Sequence, residues 1–184
     1  MATQRKLMTA DEFFYLPDDG MRHELVRGEV TTSPPAGPWH GEPAFEVALV
    51  LGTFIRQHRL GHAYAAETGF WIESGPDTVR APDFAFVSFE RLPGRSPERW
   101  PEGLVPDLVV EVVSPSQSAR EVREKMENWI RTGVRLGIVA HPRNQTIDVY
   151  QPAVDVERLG PDDSLDGADV LPGFSCRVRD LFPQ

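Results

Sequence analysis

Apolar residues in this chain follow two spacings. Short alternating or unbroken runs bounded by Pro and Gly read as strands, and recurrences every three or four residues read as helices. The sharpest run is residues 108–113, Leu-Val-Val-Glu-Val-Val, closed by Pro106 and Pro115. It is short and β-branched, which predicts a strand covered on both faces. On a period of two, Val109, Glu111 and Val113 point one way and Leu108, Val110 and Val112 the other. Glu111 is the one charge in the run. A carboxylate there is costly unless a cation or hydrogen bonds satisfy it.

Ser114-Pro115-Ser116 ends that strand, and Ser116 or Ser118 can cap a helix. Val122, Met126, Trp129 and Ile130 then recur at helical spacing and form its inward stripe, and Gly133 closes it. Upstream, Thr9 with Glu12 has the capping-box pattern for a short helix through Leu16, after residues 1–8 as a loose end. Residues 23–32 read as a strand or as a hairpin about Arg27-Gly28. Residues 33–41 read as a Pro/Gly loop carrying His40, and residues 45–58 as a helix. Residues 62–73 and 79–87 read as two strands joined by Ser74-Gly75-Pro76-Asp77, with an exposed loop over residues 91–103. Residues 136–140 and 146–150 read as a hairpin. Residues 152–169 read as irregular, and residues 170–182 as a short strand and a final turn or helix.

At 184 residues, one domain spanning 1–184 is expected. No run approaches membrane-spanning length and the N-terminus has no signal-peptide pattern. The single cysteine, Cys176, excludes an internal disulfide, so a cytoplasmic protein is expected. The net charge of −9 argues against broad nonspecific nucleic-acid binding. Residues 120–143 are locally basic: six Arg/Lys against three Glu leave +3. That suits a nuclease beside an acidic metal site, and ordinary solvated helix charges explain it equally well.

Candidate chemistry gathers around Glu111. Asp83, near the start of the strand at 79–87, is 28 residues before it. At about 100° per residue, Lys125 lies roughly 40° from Trp129, at the edge of the buried stripe. It could reach Glu111, or it could snorkel to solvent. Only Lys6 and Lys125 are lysines among 19 basic residues. Asp83, Glu111 and a backbone carbonyl such as that of Val112 form an oxygen donor set suited to Mg²⁺ or Mn²⁺. The five histidines are scattered, and no Cys/His cluster has zinc spacing. Glu24, on the strand at 23–32, and Asp107 read as further carboxylates with either a chemical or a solvated role.

Pro82-Asp83 followed by Glu111-Val112-Val113 resembles the PD-(D/E)xK motif of restriction-endonuclease-like phosphodiesterases. The lysine expected two residues after the glutamate is Val113. The Pro106 to Ser116 segment, with Lys125 and Trp129 on the next helix, is similar to the Uma-two family of endonuclease-like proteins. Thr9-Ala10-Asp11-Glu12-Phe13, His23 to Val30, Ala81 to Val87 and Leu171 to Phe174 extend the likeness over nearly the whole chain. The resemblance implies an α/β (α+β) fold, with a mixed central sheet flanked by helices. It implies a Mg²⁺-dependent nuclease acting on nucleic acid, DNA foremost. Asp83 and Glu111 would be metal ligands, Lys125 the migrated catalytic lysine and Glu24 an accessory acid. A homodimer is implied for a cut in both strands. A non-catalytic member that binds nucleic acid or protein, and a structural homo-oligomer, are the other readings.

Overall fold

The computed structural model describes residues 6–183. A six-stranded sheet, ordered β10-β9-β8-β7-β6-β3, forms the centre. Its members are β3 (Gly61–Ala65), β6 (Phe84–Ser88), β7 (Leu108–Val112), β8 (Leu136–His141), β9 (Thr146–Tyr150) and β10 (Glu157–Leu159). Only β7 and β8 pair in parallel, so the sheet is mixed. A parallel neighbour requires a crossover, and α3 (Ala119–Thr132) supplies it.

The two-sided burial of β7 follows from two helices. Leu108, Val110 and Val112 pack with Val47, Leu51 and Ile55 of α2 (Pro38–His58). Val109 packs with Val122, Met126 and Trp129 of α3. Both ends of α3 are encoded locally. Ser118 accepts from the Glu121 N–H, the Glu121 side chain returns to the Ser118 backbone, and Gly133 turns left-handed at φ 114°. Trp129 and Met126 are fully buried. Side chains of that size contribute roughly 1.5–3 kcal/mol each on leaving water. Close helix–sheet contact also needs Gly137 on β8, because a Cβ there would collide with the Met126 sulfur.

A smaller sheet, ordered β2-β1-β5-β4, stands beside the first. It contains the hairpin β1 (Arg22–Val26) and β2 (Glu29–Ser33), with β4 (Phe70–Glu73) and β5 (Thr78–Arg80). Arg27 and Gly28 both have positive φ, 52° and 78°, as a tight two-residue hairpin turn requires. The short helix α1 (Ala10–Phe14), with its full Thr9–Glu12 capping box, packs Ala10 and Phe13 against Leu25 and Val79. A two-stranded ribbon, β11 (Ser164–Asp166) with β12 (Ser175–Arg177), and a 3-10 helix, Val178–Leu181, complete the α2 side.

Several expectations change. The expected strands at 62–73 and 79–87 are each broken in two, and their halves belong to different sheets. The breaks fall at Ala66-Glu67-Thr68-Gly69 and at Ala81-Pro82-Asp83, where polar residues, Gly and Pro interrupt the apolar runs. One break, Ala81-Pro82-Asp83, sets Asp83 at the junction of the sheets. The helix expected from 45 begins at Pro38, so His40 belongs to its first turn and not to a loop. Proline at the first helical position lacks only an N–H that has no partner there. Residues 152–169 contribute β10 and β11. Of the expected loose end, residues 1–5 lie outside the described residues, while the Met8 N–H donates to the Gly28 carbonyl at 2.9 Å.

Candidate active site

Segments of both sheets and of α3 meet over one end of β7. Glu24 comes from β1, Asp83 from the β5–β6 junction, Glu111 and Val112 from β7, and Lys125 from α3. All five line one cleft of about 640 Å³. The residues singled out from the sequence are thus brought together.

Lys125 is the hub. Its Nζ lies 2.9 Å from Glu111 Oε2 and 3.0 Å from Glu24 Oε1. The other Glu111 oxygen accepts the Trp129 indole N–H at 2.9 Å. Lys125 and Trp129 are four residues apart on one helix, so they face the same carboxylate together. Glu24 also accepts the Ala81 backbone N–H at 3.0 Å and the Arg80 guanidinium at 3.1 Å. Lys125 therefore neither snorkels nor stands alone.

Asp83 is held by different partners. Its Oδ2 accepts the Val112 backbone N–H at 2.7 Å and is 3.1 Å from His40 Nε2. Its Oδ1 has a long contact of 3.5 Å with Arg22. His40, Arg22, Arg80 and Trp129 were not identified as site residues from sequence. The helical spacing of Trp129 from Lys125 offered a signal, and His40 matches a position of the family, where a capping or packing role is favoured. Arg22 reaches the cleft, and Arg80 reaches Glu24, through the packing of distant segments.

Burial sets the titration of the group. Desolvation raises the Glu111 carboxyl to about 7, helped by the Asp83 and Glu24 charges and opposed by Lys125. Burial works against the charge of Lys125, but Glu111 and Glu24 outweigh it and hold the ammonium above its ordinary value. Desolvation also opposes ionisation of Glu24 and Asp83, yet both titrate below the usual carboxylate range. Lys125, Arg80 and the Ala81 N–H outweigh it at Glu24; His40, the Val112 N–H and Lys125 do so at Asp83.

The donors facing the cleft are carboxylates and backbone, a hard oxygen set that fits Mg²⁺ or Mn²⁺ better than a softer metal. Among the described residues, no three His, Cys, Asp or Glu side chains already converge as a metal cage. A cation here would thus rest on two side chains and be completed by backbone, water or substrate oxygen. Asp107 does not belong to this set. It is buried at the other end of β7, where it accepts the Ser88 N–H at 2.8 Å and pairs with Arg91 at 2.9 Å and Arg135 at 3.3 Å. It is neither a solvated strand end nor a second acid of the cleft.

A mixed sheet sandwiched by helices, with carboxylates at the edge of adjacent strands, is the restriction-endonuclease-like fold. Residues 10–179 match the family model described as Uma2, "Putative restriction endonuclease", and the chain belongs to that family. Its structure is similar to the crystal structure of a protein from Anabaena variabilis ATCC 29413, described as "a putative nuclease belonging to DUF820". The TM-score is 0.79 at 24% identity, over 95% of this chain and 97% of that one. No curated protein matches this chain. Among the described residues, no helix is long and apolar enough to cross a membrane.

Proposed function

We propose that the protein is a metal-dependent endonuclease that hydrolyses phosphodiester bonds in nucleic acid, DNA foremost. The observation that carries this reading is the Lys125 ammonium seated between Glu111 and Glu24, in the same cleft as Asp83. Asp83 and Glu111, with the Val112 carbonyl, would hold Mg²⁺ or Mn²⁺. Such an ion, when bound, lowers the pKa of a coordinated water and offsets charge on the phosphoryl oxygens. Lys125 orients the attacking water and stabilises the developing negative charge. Glu24 and Trp129 fix the positions of Lys125 and Glu111. His40 and the Val112 N–H keep Asp83 ionised and aimed.

Cutting both strands of a duplex would require two such clefts, hence a homodimer. The outer face of α2 supports one: Phe45 and Leu49 are exposed there, with Glu42 before them and Arg56 after them. Two copies related by a two-fold axis near Leu49 would oppose acid to base. The lone cysteine supports a cytoplasmic setting.

A second reading is a non-catalytic binding member of the family, or a structural homo-oligomer. The net charge of −9 and the already satisfied Lys125–Glu111 pair favour it. The two readings part in one experiment. Plasmid, linear and branched DNA are incubated with Mg²⁺ or Mn²⁺ and either wild type, Glu111→Ala or Asp83→Asn. Cleavage by wild type alone, with metal binding lost in Asp83→Asn, is expected. Absence of both cleavage and metal binding in the wild type would overturn the nuclease reading.

A further inference from the structure

We propose that the cleft takes a nucleic-acid strand unpaired at the scissile phosphate, with one base stacked on Trp39 and an adjacent phosphate held by Arg22. This rests on the nuclease reading and narrows its substrate class.

Trp39 is 55% exposed although it lines the cleft. It directly precedes His40, the buried partner of Asp83. It is not part of the apolar face of α2. Six residues at 100° each set it about 120° around the helix from Phe45. An indole exposed at the mouth of a cleft is the stacking platform that unpaired bases use, because every base offers a π-face once it leaves the duplex.

Arg22 lines the same cleft. Its ion-pair contacts are long, 3.5 Å to Asp83 and 4.0 Å to Glu67. It is therefore a loosely held cation with several donors to offer, and a guanidinium suits phosphate oxygens. If a metal occupies Asp83, the weaker of those contacts is the one a phosphate would replace.

Charge argues against a long duplex in the same place. The cleft lining carries Glu24, Glu67, Asp83 and Glu111 against Arg22 and Lys125 as fixed cations. A cleft of about 640 Å³ is the size of a small-ligand pocket, so it admits a nucleotide or two of a flexible strand. Recognition must come from stacking and one or two phosphates, not from a basic track.

The test measures fluorescence anisotropy of labelled DNA on the whole protein with Ca²⁺ in place of Mg²⁺. The probes are a 12-nucleotide single strand, its blunt duplex, and the duplex with an unpaired flap. The single strand and the flap are expected to bind at least about tenfold tighter than the blunt duplex. Trp39→Ala removes that preference and Trp39→Phe retains it. Arg22→Ala weakens the single strand and the flap and flattens their salt dependence by about 0.7 in log–log slope. Blunt duplex bound as tightly as single strand, or a preference that survives Trp39→Ala, would overturn the inference. Parallel Mg²⁺ incubations separate it from the nuclease reading. Trp39-dependent strand binding without any cleavage sinks the nuclease and keeps the binding site; preferred binding and cutting of blunt duplex does the reverse.

Discussion

The Asp83 carboxylate accepts the backbone N–H of Val112 at 2.7 Å. Two positions that are 29 residues apart in the chain are thus joined by one hydrogen bond. The acid at the sheet junction is aimed by the strand that carries Glu111, so the two carboxylates hold a fixed relation however the loop between them varies.

Lys125→Met tests the hub. It leaves Glu111 and Glu24 buried without their shared cation, and removing one partner of a buried pair costs roughly 3–5 kcal/mol. Partial exposure of Lys125 makes the low end of that range the expectation. Adding Glu111→Gln removes the uncompensated charge, so the double variant is expected to be more stable than Lys125→Met alone. Urea unfolding of Lys125→Met, Glu111→Gln and the double variant measures the coupling. Additive losses would mean that the two groups do not depend on each other.

Glu111 sets a pH dependence with a definite sign. Its folded value, about 7, lies above the ordinary 4.5, so the folded chain binds its proton more tightly than the unfolded chain does. Its contribution to stability is full below about pH 4.5 and is lost as pH rises through 7. Asp83 and Glu24, held low, act oppositely: their contributions are present above the ordinary carboxylate values and fade in acid. In metal-free protein, Glu111→Gln is expected to remove the loss of stability between pH 4.5 and 7. Unfolding free energies across that window decide it, and an unchanged slope would exclude Glu111 as the source.

Gly137→Val tests the fit of α3 on the sheet. A side chain at 137 meets the Met126 sulfur and comes close to Ile130. Overpacking of this kind costs about 1–3 kcal/mol. A matching fall in thermal midpoint is expected, and Met126→Ala in the same chain should recover part of it. A midpoint equal to wild type would show that α3 can move away freely.

The β7–α3–β8 unit was legible in the sequence because every local signal agreed there. The apolar run, the Ser118 cap, the helical stripe and Gly133 all point to one structure. Glu111 announced itself as a charge in that run, and Lys125 by its place on the stripe. Elsewhere local pattern and tertiary structure diverge. Pro82 marks a break at Ala81 to Asp83, but that the strands on either side enter different sheets is a tertiary outcome no window of sequence records. Pro38 reads as loop punctuation, although α2 begins at it. His40 and Arg22 gained their places from contacts with Asp83 that are 43 and 61 residues away. Asp107 was misread because its partners, Arg91 and Arg135, come from segments that carry no motif.

Lys125 joins Glu24 of the four-stranded sheet to Glu111 of the six-stranded one, and so serves as a rivet between two halves of the molecule. The cleft's central cation is therefore seated only when both halves are docked. A chain still on its way to the native state, or one whose smaller sheet has come loose, lacks the assembled constellation. For a protein that would cut nucleic acid, such coupling is a safety catch: incomplete molecules are silent ones.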